Sequence, residues 1–138
     1  MSLEQKVREF ALKYGHLVSP QAAVTIPNSV KQLRMDLIRE EYEETMTAIQ
    51  NNDLVEIADG LADLTYVVIG TAIAYGIPFD RVFEEVHRSN MTKTAVKAEE
   101  GQKYGTKTPK GPNFIPPYLW RILFEPEFLT ELEKNGRA

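Results

Sequence analysis

The chain has 138 residues, 43% of them apolar, and a formal net charge of −4. That length usually supports one domain around one core, and that apolar share excludes an intrinsically disordered chain. It contains no cysteine, which excludes disulfides and thiolate metal sites.

The N-terminus lacks the apolar core of a secretory signal. The longest apolar run, "LTYVVIGTAIAYGI", has 14 residues and falls short of a bilayer span. The expectation is a soluble cytoplasmic protein with no membrane association. Charge is unevenly spread. Residues 86–121 hold Arg88, Lys93, Lys97, Lys103, Lys107, Lys110 and Arg121 against Glu99 and Glu100, a local excess of five positive charges. The remainder therefore carries −9. An acidic half beside a basic segment suits an anionic, metal-bound ligand.

In chain order, Leu3, Val7, Phe10, Ala11 and Tyr14 recur at helical spacing and predict a first helix over 2–14, ended by Gly15. A loop with Pro20 and Pro27 follows. The second helix is expected from Ser29, as N-cap, to Gln50, and the third from Asp53 to Tyr75, stopped by Gly76. Pro78 opens a fourth helix with Phe79, Val82, Phe83 and Val86 on one face. A basic Gly/Pro-rich loop occupies about 91–118, and a short helix closes the chain around 126–134. Strand alternation is not evident. The fold class is therefore all-α, one domain over 1–138 with an antiparallel four-helix-bundle-like core. The third helix is apolar nearly all round from Leu61 to Ile73 and needs cover on several sides, which predicts a homo-oligomer.

The stretch "LIREEYEETMTAI" concentrates glutamates inside the second helix. With Leu33 at zero and about 100° per residue, Glu40 falls near −20°, Glu44 near 20° and Glu41 near 80°. These three line up with the apolar stripe, whereas Glu43 points to solvent. On the third helix, Glu56, Asp59 and Asp63 share one acidic face. Buried carboxylates need partners or metal, and an all-oxygen cluster suits hard divalent cations, Mg²⁺ or Mn²⁺. "DLVE" is also a capping box, with Asp53 as cap, which by itself accounts for Glu56.

"EEYEE" followed by "EIADGLADL", with "VHRSNMTK" and "KTPKGPNFIPP" further on, resembles the all-α nucleoside triphosphate pyrophosphatases, in their MazG-like, phosphoribosyl-ATP-pyrophosphohydrolase-like branch. The resemblance covers roughly residues 5–118. It implies Mg²⁺-dependent attack of water on the α-phosphorus of a nucleoside triphosphate, releasing a monophosphate and pyrophosphate. It implies Glu40, Glu41 and Glu44 as metal-binding positions, one of them near the attacking water, with Asp63 the clearest match on the next helix. A carboxylate that holds no metal would serve as the base, and Glu40, at the edge of the stripe, is the candidate. The glutamate that many members carry three positions before the aspartate is here Gly60. Whether Glu56 or Asp59 supplies the missing oxygen is open at this point. Asn90, Lys93, Lys107 and Lys110 are the expected phosphate contacts, lysine serving as a point charge. Arg88 is a weaker candidate, since arginine at a helix end often only complements the dipole.

Other features carry less. Glu84 and His87 have the spacing of a di-iron bundle motif but no second copy. Tyr66 and Tyr75 read as core aromatics; Tyr14 and the loop "HLVSPQAAVTIPN" are candidates for contact with a base, which the sequence itself does not show. Trp120 and its apolar neighbours read as a packing patch. No phosphate-binding P-loop is present, and no basic helix or aromatic-interleaved sheet argues for nucleic acid. The expected partners are the nucleotide and further copies of the chain, as a homodimer or homotetramer. The competing readings are phosphoribosyl-ATP hydrolysis and a non-catalytic helical interaction protein that retains the site.

Overall fold

The computed structural model describes residues 1–94 and 107–135; the central part of the expected basic loop, 95–106, lies outside the described residues. The chain divides into two compact units, Met1–Asp80 and Arg81–Ala138. Six helices and no strand occur among the described residues.

In the first unit, α1 runs Leu3–Lys13, α2 Asn28–Gln50 and α3 Leu54–Ala74. Ser2 starts α1 with a capping box. Its Oγ accepts from Gln5 N at 3.1 Å, and Ser2 N donates to Gln5 Oε1 at 2.8 Å. α2 begins two residues earlier than a cap at Ser29 would set, and Ser29 is not its cap. Pro27 takes that position, its carbonyl accepting from both Val30 N and Lys31 N at 3.0 Å. A backbone carbonyl that already holds the first turn leaves the hydroxyl of Ser29 no capping task. Asp53 caps α3 as expected, accepting from Glu56 N at 3.2 Å. Gly76 follows α3 with a φ of +69°, the left-handed conformation that ends many helices.

Val7 and Ala11 of α1 pack against Ile69 and Ile73 of α3, flanked by Val18 and Phe79. Burying an isoleucine of this kind contributes about 1.5–3 kcal/mol. The connection between α1 and α2 is held by carbonyls at the end of α3. Ser19 N donates to Ile73 O at 3.2 Å, Ser19 Oγ to Ala74 O at 2.6 Å, and Ala23 N to Tyr75 O at 3.1 Å.

α2 and α3 form an antiparallel hairpin through the turn Asn51–Asp53, where Asn52 takes a φ of 53°. Asparagine tolerates that region better than most residues. The register is fixed at two levels: Thr45 lies against Gly60, and Arg34 against Gly70 and Thr71. α3 packs against α1 and α2, and part of its apolar surface stays open among the described residues. Leu61 is 50% exposed, and with Leu3 and Tyr66 it lines an apolar groove of about 450 Å³ between α1 and α3. By length and composition α3 also reaches what a bilayer span requires, with a mean hydropathy of 1.5, contrary to the expectation that no segment does.

The second unit contains α4, which begins at Phe79 in the first unit and ends at Asn90, then α5 (Leu119–Phe124) and α6 (Pro126–Lys134). The sequence reading gave α6 but not α5. Ile122 and Phe128 pack together with Val82. The expected apolar face of α4 splits: Phe79 joins the α1–α3 core, Val82 the α5–α6 cluster, and Phe83 is 62% exposed. Glu85 and Ser89 are the buried residues of this helix instead.

Candidate active site

On α2, the side that meets α3 carries Arg34, Thr45 and Ala48, all buried, with Glu41 half-buried among them. This stripe lies at about 60–120° on the wheel that has Leu33 at zero. Leu33 itself is 48% exposed, so the stripe's centre is displaced by about a quarter turn from the sequence expectation. The reason is that a buried arginine and a threonine occupy positions where apolar periodicity looks for leucine. Glu41 at about 80° therefore lies within the stripe that meets α3, while Glu40 and Glu44 both lie to one side of it and are exposed.

Glu41 Oε2 is buried and has no hydrogen-bond partner among the described residues. Desolvation, first, pushes the Glu41 carboxyl above its ordinary pKa; the charges of Glu44, Asp63, Glu40 and Asp59, in that order, push it further. The desolvation is local to one oxygen, since the residue as a whole is only half-buried. The four neighbours come from both helices of the hairpin. The register explains why: with Thr45 at the level of Gly60, one turn back along α2 brings Glu41 to the level of Asp63.

Glu56 is absent from the charges that act on Glu41. Its backbone N–H is held by Asp53, and it borders a cleft at the turn end of the hairpin with Glu43, Glu44 and Asp53. Asp59, one turn further along α3, is the acid that joins the Glu41 group. Gly60 is buried at the helix crossing, where a Cβ would stand 2.6 Å from Thr45 Oγ1. Thr45 Oγ1 in turn donates to Glu41 O at 2.6 Å. No glutamate side chain fits at position 60 in this packing.

The chemistry of this donor set fits a hard divalent cation, and the unpartnered Glu41 oxygen is the atom such an ion would satisfy. Among the described residues, no three acidic or imidazole side chains converge into a ready-made cage. Five like charges splay apart unless a cation draws them in.

The remaining expected residues belong to the second unit. Asn90 ends α4 and is exposed, Lys93 is half-buried in the turn after it, and Lys107 is exposed. Lys110 Nζ sits 5.2 Å from the Phe114 ring centroid. Their neighbours have a structural task. Arg88 pairs with the buried Glu85, donates to Pro116 O at 3.1 Å and lies 5.1 Å from the Tyr118 ring centroid. Ser89 Oγ donates to Ile115 O at 2.7 Å, and Ile115 N to Thr92 Oγ1 at 2.8 Å. "HRSNMT" thus fastens the 115–118 segment to α4.

Sequence reasoning missed Arg34, which is 7% exposed. Its Nε donates to Thr71 Oγ1 at 3.1 Å and its Nη2 to Val67 O at 2.9 Å. Burial lowers its pKa. Its seven-residue spacing from Glu41, two full turns on one face, was the available signal.

An α-helical hairpin carrying a two-sided carboxylate group, one member with an unsatisfied buried oxygen, defines an all-helical protein with an acidic cluster between two of its helices. Residues 7–90 match the family described as phosphoribosyl-ATP pyrophosphohydrolase, and the chain belongs to that family. It is also 40% identical over 80 residues to "Uncharacterized protein L479" of Acanthamoeba polyphaga mimivirus. The match covers 55% of this chain and 32% of that protein, so the chain spans about a third of the length of its viral relative. Family membership supports a pyrophosphohydrolase activity.

Proposed function

We propose that the protein hydrolyses a nucleoside triphosphate, preferentially a deoxynucleotide, to the monophosphate and pyrophosphate, clearing unwanted nucleotides from the cytoplasmic pool. The observation that carries this is Glu41 Oε2, buried and unpartnered amid the charges of Glu40, Glu44, Asp59 and Asp63. Glu41, Glu44, Asp59 and Asp63 hold Mg²⁺, or Mn²⁺ in its place; Glu56 remains with the cap. Bound there, the cation neutralises carboxylates and phosphates and makes a water more acidic. Glu40, exposed at the rim, takes the proton from the attacking water. The water oxygen bonds to the α-phosphorus, the bond from that phosphorus to the bridging oxygen breaks, and pyrophosphate leaves. Asn90, Lys93, Lys107 and Lys110 bind phosphate oxygens. The apolar groove along α3 is covered by a second copy, in a homodimer or homotetramer.

The test is pyrophosphate release from a panel of dNTPs and NTPs with Mg²⁺, Mn²⁺ or EDTA. Metal-dependent release, lost in Asp63→Asn with helicity retained, supports the reading. Near-normal turnover in that variant would sink it. The family's description favours a second reading, phosphoribosyl-ATP as substrate. Turnover on that compound beside dNTPs separates the two, and nucleotide binding without release from any of them would leave a non-catalytic binding protein.

A further inference from the structure

We infer that the cavity flanked by α1, α2 and α3 receives the nucleobase, and that Arg34 in its wall selects bases with a keto oxygen at C4 of a pyrimidine or C6 of a purine, that edge facing the guanidinium. This deepens the proposed function, on which its link to the phosphates rests.

The cavity encloses about 390 Å³ and lies wholly within the first unit. Its walls are mostly apolar and include Phe10, Leu17, Leu33, Leu37 and Tyr66. Phe10 meets His16 and Tyr66 edge-on, with centroids 5.4 Å apart in both pairs. Aromatic edges and faces of this kind suit a flat ring. Arg34 is the exception in the wall. More than nine-tenths buried, it spends Nε and one Nη2 hydrogen on α3, while Nη1 makes no hydrogen bond among the described residues. The guanidinium lies against α3 because residue 70 is glycine; a Cβ there would stand 2.5 Å from Nη2.

An arginine only donates hydrogen bonds, so its partner must accept. A ligand that fills the cavity covers this donor, and a covered donor left unpaired is costly, so the ligand must offer an acceptor. The acceptor is a neutral ring's oxygen rather than a phosphate, because the walls are apolar and the charged end of a nucleotide is drawn to the cation site. That site is the right distance away. Leu37 and Val67 line the cavity, and one turn beyond them on the same helix faces stand Glu41 and Asp63. From Arg34 to Glu41 is two turns, about 10 Å, which a nucleoside monophosphate spans from base edge to phosphate. Uracil, thymine and guanine carry a keto oxygen where cytosine and adenine carry an amino group. Against Arg34 the amino bases would set donor against donor.

The test uses free deoxynucleosides, which carry no phosphate and need no cation. Ligand-observed saturation-transfer NMR on the full chain in EDTA ranks deoxyuridine, thymidine, deoxyguanosine, deoxycytidine and deoxyadenosine. The expected result is at least tenfold weaker binding of the two amino-bearing nucleosides. Arg34→Met, checked for helicity and Tm, should erase that preference, and Gly70→Ala, which displaces the guanidinium without removing it, should weaken it. No binding by the wild-type chain, equal binding of all five, or a preference that survives Arg34→Met overturns the inference. If Arg34→Met does not fold, the wild-type ranking and Gly70→Ala decide. Pyrophosphate release without base preference would sink this inference and leave the proposed function standing. Base-selective nucleoside binding with no pyrophosphate release would do the reverse.

Discussion

Gly60 of α3 packs onto Thr45 of α2 so closely that a Cβ would stand 3.2 Å from the Thr45 Cα. Backbone yields less than a side-chain end, so Gly60→Ala pushes the helices apart beside the carboxylate group. Overpacking of this kind costs about 1–3 kcal/mol, reduced by alanine's better helix propensity. Urea unfolding should show a net loss of roughly 1–2 kcal/mol. Gly60→Glu should lose more stability and gain no turnover. A gain would mean that the position is a vacant ligand rather than a helix contact.

The raised pKa of Glu41 makes stability depend on pH. Its folded pKa is raised, so the folded state binds more protons than the unfolded one across that range. Stability in EDTA is therefore fullest below the unfolded pKa and falls as pH rises through the folded pKa. Glu41→Gln should flatten that slope and raise Tm at neutral pH in EDTA. Turnover should drop by roughly 10²-fold or more, the scale of losing one preorganised electrostatic contact. Thermal melts against pH, with and without Mg²⁺, check both halves.

Asp59 and Glu56 should separate cleanly. Asp59→Asn should raise the Mg²⁺ concentration needed for half-maximal turnover at least tenfold, whereas Glu56→Gln should leave it within about twofold, since Asp53 caps the Glu56 backbone rather than its side chain. A Mg²⁺ titration in which Glu56→Gln shows the larger shift would reverse the assignment.

Arg88 should prove structural. Arg88→Ala loses the pair with buried Glu85, the bond to Pro116 O and the stack on Tyr118. The expected cost is on the order of 2–3 kcal/mol, with KM for nucleotide little changed in protein that remains folded. A large KM rise at unchanged stability would return Arg88 to the phosphate contacts.

Much of the hairpin was legible in the residues. Asp53, Gly76 and the apolar run after Leu61 placed α3 to within a residue, because caps and periodicity act locally. Helical spacing also put Glu40, Glu41 and Glu44 on one helix and Glu56, Asp59 and Asp63 on the next, but it could not separate Asp59, whose charge acts on Glu41, from Glu56. What spacing could not give was the azimuth of α2. Arg34 and Thr45 face α3 through hydrogen bonds to Thr71, Val67 and the Glu41 carbonyl, and a polar residue satisfied in that way looks solvated in a sequence. The same blindness hid Glu85 and Ser89, buried on the polar side of α4. The role of Gly60 needed the partner helix in place, since a glycine within a helix has no signature of what lies against it.

The acidic residues of α2 and α3 are joined by a turn of only three residues, Asn51–Asp53. Bringing them together therefore closes a short loop, with a small entropic cost and a low separation along the chain. The carboxylates would meet early in folding, while the register set by Gly60 and Thr45 is forming, and before segments distant in sequence arrive. A nascent chain thus confronts its own charge repulsion at the start of folding, and a divalent cation in the surrounding solution would speed the collapse of the hairpin as well as stabilise its product.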